Sequence, residues 1–460
     1  MNRPQSDERC ANRRRPLPRS PGVIAICLVA LACTSPLSAP TPTRSPAPAA
    51  TRTGRGEVRP SEPPRERPAE LTVRNVGKAP VRVLISRGPA MPRIASPGGL
   101  MLTARDGSFI ARAAQGEVWR VEHAGRRVRA IRPDGVATVW IDPPLVARSV
   151  GDALLSLGDK PYRGDFAFFG GDSGVLVVND VAIDDYLRGV VPLEIGTQAI
   201  ADSAAIQAQA VAARSYAYTH LSNESARFYD LTDGVSDQVY GGVPVETAVS
   251  SEAVETTRTL VLKYNGRVVN APYHSTCGGA TAAASEVWRS GDEPYLRSVS
   301  DRIPDTDRYY CEDAPRFRWT RTLDGAMVNA ALARYLAAFT SVPGHTPGIA
   351  RDVAVTARTA SGRVATITIT TDRGNFVLRG NDIRYVLRQP GGALLSSTDF
   401  SATIDRTRDG VISLLTLRGR GYGHGVGMCQ SGAIGRARAG QNFRAILQAY
   451  YPGTAVGPPE

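Results

Sequence analysis

Apolar and polar residues alternate in short runs from Leu71 to about Val178. Leu71-Thr72-Val73-Arg74-Asn75-Val76, Val81-Arg82-Val83-Leu84-Ile85 and Val118-Trp119-Arg120-Val121 follow the two-residue period of strands with one buried face. Asp106-Gly107 and Asp134-Gly135 punctuate them as turns. The pattern predicts a β-rich region. Val175-Leu176-Val177-Val178-Asn179 is a further apolar strand, leading through Ile183-Asp184-Asp185-Tyr186-Leu187 to Val190-Val191-Pro192-Leu193-Glu194. The period then changes. Asp202 or Ser203 is expected to cap a helix running to about Leu221, whose stretch AAIQAQAVAARSYAY is rich in alanine. Side chains that small permit close packing on more than one side and put Arg214 in or beside a packed region. A guanidinium there needs a carboxylate or ligand partner, unless it snorkels to the surface.

Thr259–Tyr264 and Arg267–Tyr273 read as a hairpin across Asn265-Gly266, a type I′ turn signal. Residues 324–339 predict an alanine-rich helix, and 352–380 two or three strands with turns at Ser361-Gly362 and Asp372-Arg373-Gly374. Phe443–Tyr450 is the expected last helix, ended by Pro452-Gly453. The fold class is α+β: mixed and strand-rich, with a few packed helices.

The first residues do not share this patterning. Six arginines fall within residues 1–20, followed by an apolar run from Gly22 to Ala32. That run is too short to span a bilayer; a basic segment, an apolar core and a small-residue exit predict an export signal over 1–33. Cleavage after Ala32 releases a soluble protein, whereas lipidation of Cys33 anchors it to a membrane. Residues 34–68 hold nine prolines in 35 positions and form a disordered tether. A β-rich part over 69–175 and a main domain over 176–455 complete the division. The formal charge of +12 favours an anionic partner surface. With export, that surface is wall polymer or lipid headgroup rather than nucleic acid.

Candidate chemistry gathers at a few points. Glu194 lies between Leu193 and Ile195; a carboxyl with apolar neighbours has its pKa raised by desolvation, as a general acid near neutral pH requires. A lone loop glutamate is otherwise commonplace. Of six cysteines, Cys10, Cys27 and Cys33 belong to the export segment, leaving Cys277, Cys311 and Cys429, an odd number for an exported chain. His274 and Cys277, three apart at a strand end, together with Cys311 and Cys429 form a closed set suited to structural zinc. His424, set among glycines at 421–427, is a replacement ligand or a substrate contact. The rival arrangement is a Cys277–Cys311 disulfide with Cys429 inert.

VVPLEI (190–195), AQAVAARSYAY (208–218), DQVYGG (237–242), YHSTCGGAT (273–281), EVWRSGDEPYLRSVSD (286–301), GYGHGVGMCQSGA (421–433) and ILQAYYPGT (446–454) resemble, in this order, the SpoIID/LytB domain. The resemblance covers about residues 70–455. It implies a lytic transglycosylase that cuts the bond between N-acetylmuramic acid and N-acetylglucosamine in peptidoglycan, preferring strands without stem peptides and leaving a 1,6-anhydro end. Carried onto this sequence, it implies Glu194 as the catalytic acid, Arg214 as a supporting residue, and zinc held through His274 and Cys277. Tyr240 and Tyr273 are candidates to stack on sugar rings, with core packing as their alternative. The chain departs from the family pattern at Ile195-Gly196-Thr197, where Met-Pro is usual. The same resemblance admits a second function, a non-catalytic wall-binding protein that enhances a cell-wall amidase.

Overall fold

The alternating segment becomes two sheets. In the first, Gly174–Val181 lies between Val81–Gly88 and Asp165–Gly171, antiparallel to both, in a seven-stranded sheet. In the second, Arg93–Ala95 pairs with Trp119–Ala124 and Leu155–Leu157 in a five-stranded sheet. The computed structural model describes residues 80–197, 199–221, 227–289, 291–389 and 391–459. The export segment with Cys33, the linker 34–68 and the strand expected at Leu71–Val76 lie outside the described residues.

The unbroken apolar run Val175–Val178 has a physical reason. Val175 and Val177 enter the large core with Phe166 and Phe168, while Leu176 and Val178 enter a smaller cluster on the other face with Leu84 and Phe169. A strand covered on both faces has no polar side to alternate with. This strand also crosses the division expected at residue 175, and the large core draws residues from both sides of it.

Eight α-helices occur among the described residues: α1 Ile183–Ile195, α2 Ser203–His220, α3 Ala248–Thr256, α4 Ala284–Val287, α5 Gly325–Tyr335, α6 Asp382–Val386, α7 Gln430–Arg438 and α8 Phe443–Tyr450. None is long and apolar enough to cross a membrane. The alanines of α2 do what their size suggests: Ala205, Ala208, Ala210, Ala212, Ala213 and Ala217 are all fully buried, and α1, α3, α7 and α8 pack around them. Asp202 precedes α2 without making a capping hydrogen bond. Its carboxylate is instead held by Arg438 of α7 at 2.7 Å and by Thr197 at 2.6 Å, so the expected cap is replaced by a tie between helices.

A second core occupies residues 318–420. There Arg318–Asp324, Ile412–Arg420 and Phe400–Arg406 form one three-stranded sheet, and Ala350–Arg358, Val364–Thr371 and Gly374–Arg379 another. Leu323, Val328, Leu332, Ile367, Phe376 and Leu415 pack between these sheets, α5 and α6. This region leaves and re-enters the main body at one point, where the Gly421 N–H donates to the Phe317 carbonyl at 2.9 Å. Beside it, Tyr273–His274 pairs in parallel with Met428–Cys429.

Gly189 of α1 allows the 237–242 loop to lie against that helix. A Cβ at this position would meet the Tyr240 ring at 2.6 Å, and the Gly241 N–H donates to the Gly189 carbonyl at 2.9 Å. Gly189→Ala should destabilise the protein by about 1–3 kcal/mol, read as a lower denaturant midpoint; an unchanged midpoint would show that the loop yields freely.

Candidate functional site

Glu194 lies not in a loop but on the last turn of α1, a helix carrying Pro192 within it and closed by Gly196 in the left-handed conformation (φ 67°). That glycine stands where the family pattern expects another residue, and it gives the helix a sharp stop. The Val239 N–H donates to Glu194 Oε1 at 2.7 Å. Burial pushes the Glu194 carboxyl above the ordinary glutamate range, against hydrogen bonds from Val239 and the Gln430 side chain that favour the charged form. The side chain remains half-buried, with one edge open.

The loop that delivers Val239 is fixed by its neighbour. Gln238 is fully buried. Its Oε1 accepts from the Tyr186 hydroxyl at 3.2 Å, and its Nε2 donates to the Tyr273 hydroxyl at 2.8 Å and the Ala213 carbonyl at 3.3 Å. One amide thus ties α1, α2 and the strand at Tyr273 together, leaving the next N–H aimed at Glu194. On the other side Gln430, the first residue of α7, donates to Gln209 Oε1 of α2 at 3.3 Å.

The remaining candidates separate. Arg214 is fully buried. Its Nε and Nη2 bind Asp184 Oδ1 at 3.1 and 2.9 Å, and its other bonds reach the carbonyls of Val254, Thr257 and Leu260. It clamps the start of α1 and the end of α3 onto α2, and its burial excludes direct contact with substrate. Tyr240 is also core: it is 3 % exposed, its hydroxyl donates to Asn179 Oδ1 at 2.9 Å, and its ring packs between Tyr162 and Tyr186. Tyr273 borders Glu194, whose charge adds to burial in raising the Tyr273 hydroxyl well above its ordinary pKa.

His424 has both nitrogens engaged. Nε2 lies 2.8 Å from the Tyr273 carbonyl, and Nδ1 accepts from the Val426 N–H at 3.1 Å, which assigns a neutral ring with the proton on Nε2. Burial, reinforced by the charge of Arg384, holds its pKa down at about 3. It sits beside Trp288, ring centres 5.2 Å apart. The glycines around it serve close approach: at Gly427 (φ 69°) a Cβ would lie 2.0 Å from the Pro272 carbonyl.

Three cysteines converge, but His274 does not join them. Cys277, Cys311 and Cys429 are free and buried, and their sulfurs lie with an Asp301 carboxylate oxygen within 4.8 Å of one another. The Cys277 and Cys311 sulfurs are 3.4 Å apart, against about 2.05 Å in a disulfide. His274 donates from Nδ1 to the Val426 carbonyl at 3.1 Å, and its Nε2 is buried without a partner. The fourth donor is therefore Asp301, which only its place at the end of the 286–301 motif could have signalled. Three sulfurs and one carboxylate oxygen fit a tetrahedral zinc site. Outer contacts suit that role: Tyr450 donates to Asp301 Oδ1 at 2.6 Å, and the Arg436 guanidinium lies 3.4 Å from the same oxygen. Burial pushes Cys277 and Cys429 up, while sulfur contacts pull Cys311 down to about 3, a crowding of acidic groups that a divalent cation relieves.

Comparison with known proteins places two family regions on this frame: Stage II sporulation protein (SpoIID) over residues 171–264 and a domain of unknown function (DUF8618) over 303–427. An uncharacterised protein of Brachyspira hyodysenteriae is 32% identical over 302 residues, covering 65% of this chain and 73% of that protein. Stage II sporulation protein D of Bacillus subtilis is 30% identical over 297 residues, covering 61% of this chain and 75% of the relative. The amidase enhancer of the same organism is 29% identical over 302 residues, 59% of this chain but 40% of the enhancer.

Proposed function

The chain belongs to the SpoIID/LytB family, and from that premise we propose that it is a peptidoglycan lytic transglycosylase with Glu194 as its acid and base. The observation that carries this reading is the half-buried Glu194 carboxyl, biased towards its neutral form and pinned by the Val239 N–H. In the reaction, Glu194 gives its proton to the glycosidic oxygen as the bond from muramic acid C1 breaks. Positive charge develops at C1 and its ring oxygen. The C6 hydroxyl of the same sugar then bonds to C1, and the Glu194 carboxylate takes the hydroxyl proton. One C–O bond is exchanged for another, the acid is regenerated, and no water enters. An intramolecular nucleophile removes the need for a second catalytic carboxylate.

The Val239 N–H and Gln430 orient the carboxyl, and the Tyr273 ring lies beside it. Arg214 acts through the fold, as a positioning residue. The test is product analysis: stem-peptide-free glycan strands incubated with the purified protein should yield 1,6-anhydro ends by mass spectrometry. A folded protein that gives none, yet raises the rate of a cell-wall amidase, would support the second reading, which the name of the enhancer relative favours.

In the same proposal, Cys277, Asp301, Cys311 and Cys429 hold a structural zinc ion. The metal would supply cross-linking between the 273–281 segment, residue 311 and the start of α7, with no part in bond cleavage. Metal analysis should find about one zinc per chain, and chelation should lower the melting temperature by about 5 °C or more. A metal-free protein with a Cys277–Cys311 disulfide would refute it. The protein acts in the cell envelope on this reading, exported by its first 33 residues and, if Cys33 is acylated, held there by lipid.

A further inference from the structure

The three-stranded sheet of the second core carries a feature that folding alone does not favour. Arg318 and Arg420 stand directly opposite each other across paired strands, and Arg418 lies between Thr320 and Ser401 in the same way. Residues two apart on a strand share a face, so three arginines and two hydroxyls project from one side. Like charges directly opposite destabilise a sheet. Arg318 and Arg418 are exposed, and the acid beside them is Asp399, 3.4 Å from Arg420. A cavity of about 590 Å³ opens here, walled by Arg318, Trp319, Arg358, Ser401, Arg418 and Arg420. A second cavity of about 380 Å³ adjoins it at Arg358 and Ser401 but is mostly apolar, lined by Val353, Val355, Ala402 and Ile404, with Arg406 there paired to Asp352. Arg358 is held in place by its donations to the Phe400 and Gly362 carbonyls, both at 2.8 Å.

We propose that this trough is a second glycan-binding surface, taking strands whose muramic acid lactyl groups are free carboxylates. It shares no residue with the surroundings of Glu194, and it rests on the reading that the substrate is peptidoglycan. The chemistry is complementary. Guanidinium groups pair with carboxylates through parallel N–H···O bonds, the hydroxyls of Thr320 and Ser401 suit sugar hydroxyls, and the carboxylates neutralise the facing arginines. A glycan strand repeats its carboxylate at every disaccharide, so a bound strand presents one to these arginines wherever along its length it docks.

The test measures binding to the full chain carrying Glu194→Gln, which holds strands without cutting them, with and without Arg318→Gln and Arg418→Gln. The probes are soluble stem-peptide-free strands, the same strands with their carboxylates amidated, and poly(glycerol phosphate). Loss of the two arginines should weaken binding of the acidic strands about tenfold at low salt, amidation should do the same to the parent protein, and the melting temperature should hold or rise as facing charges are removed. Equal binding by both proteins, undiminished binding of amidated strands, or tighter binding of the phosphate polymer than of the glycan would overturn the proposal. The Arg420→Gln variant repeats the comparison should the pair lose its fold. Absence of anhydro product from the wild-type chain, with this binding pattern intact, would sink the transglycosylase reading and leave the surface standing.

Discussion

Glu194→Gln should lower kcat on stem-peptide-free strands by about a thousandfold, the middle of the range for losing a positioned general acid, while strand binding and folding persist. Glutamine keeps an oxygen to accept from Val239 but has no proton to give. Burial raises the Glu194 pKa, so on the transglycosylase reading the acid form is lost as pH rises through that raised value, and kcat/KM should fall along that limb. The effect on stability has a definite sign. A carboxyl raised on folding contributes stability fully below its ordinary pKa and loses that contribution as pH climbs through its folded value. Glu194→Gln should therefore melt higher than wild type at neutral and alkaline pH, with the gap closing on acidification. A variant that turns over at the wild-type rate would remove Glu194 from the chemistry, and one that melts lower at all pH values would show that folding does not raise its pKa.

Arg214→Leu should lower stability by about 3–5 kcal/mol, the loss expected when one partner of a buried ion pair is removed. The substitution leaves Asp184 only its longer pairing with Arg258, at 3.4 Å, and strips three carbonyls at the end of α3 of their donor. Arg214→Lys separates structure from chemistry, because one ammonium cannot serve Asp184 and all three carbonyls. Its melting temperature should drop while kcat per folded molecule stays near wild type. The reverse outcome, a normal melt with lost turnover, would return Arg214 to the reacting groups.

Where local signals decide structure, the chain was legible. Asn265 and Gly266 both adopt positive φ, 48° and 79°, as a type I′ turn demands. Asp324 caps α5 through the Met327 N–H, and α8 spans Phe443–Tyr450, the residues its amphipathic pattern marks. Local signals misled where distant contacts govern. A proline inside α1 disguised the helix that carries Glu194. The glycine-rich approach to α7 concealed a helix whose N-terminal turn is closed by the Cys429 sulfur, accepting from the Gly432 N–H at 3.2 Å. The cluster of Cys277, Asp301, Cys311 and Cys429 shows the same limit. Three cysteines were recognisable as residue types, but Asp301 enters through packing of chain segments remote in sequence, and His274, adjacent to them by spacing, turns towards Val426 instead. The partner of Arg214 was required by burial, yet nothing local singled out Asp184 from Asp185.

Residues 317 and 421 touch, so the hundred-residue excursion between them leaves and returns at one place, while the Asn381 N–H and the Ser396 carbonyl tie it again to Val287 and Gly423. Loop closure depends only weakly on length, about 0.6 kcal/mol for each doubling. Changing the length of that stretch therefore costs the rest of the chain little, so long as its contacts with the main body are kept. Glu286 accepts from the Ser361 N–H at 3.1 Å, and a further contact is made by a buried cation. Arg363 reaches out of the excursion to the carbonyls of Cys277 and Ala280, at 2.8 and 3.2 Å, so an altered stretch must keep a cation at the same spot or leave the cysteine loop without its brace.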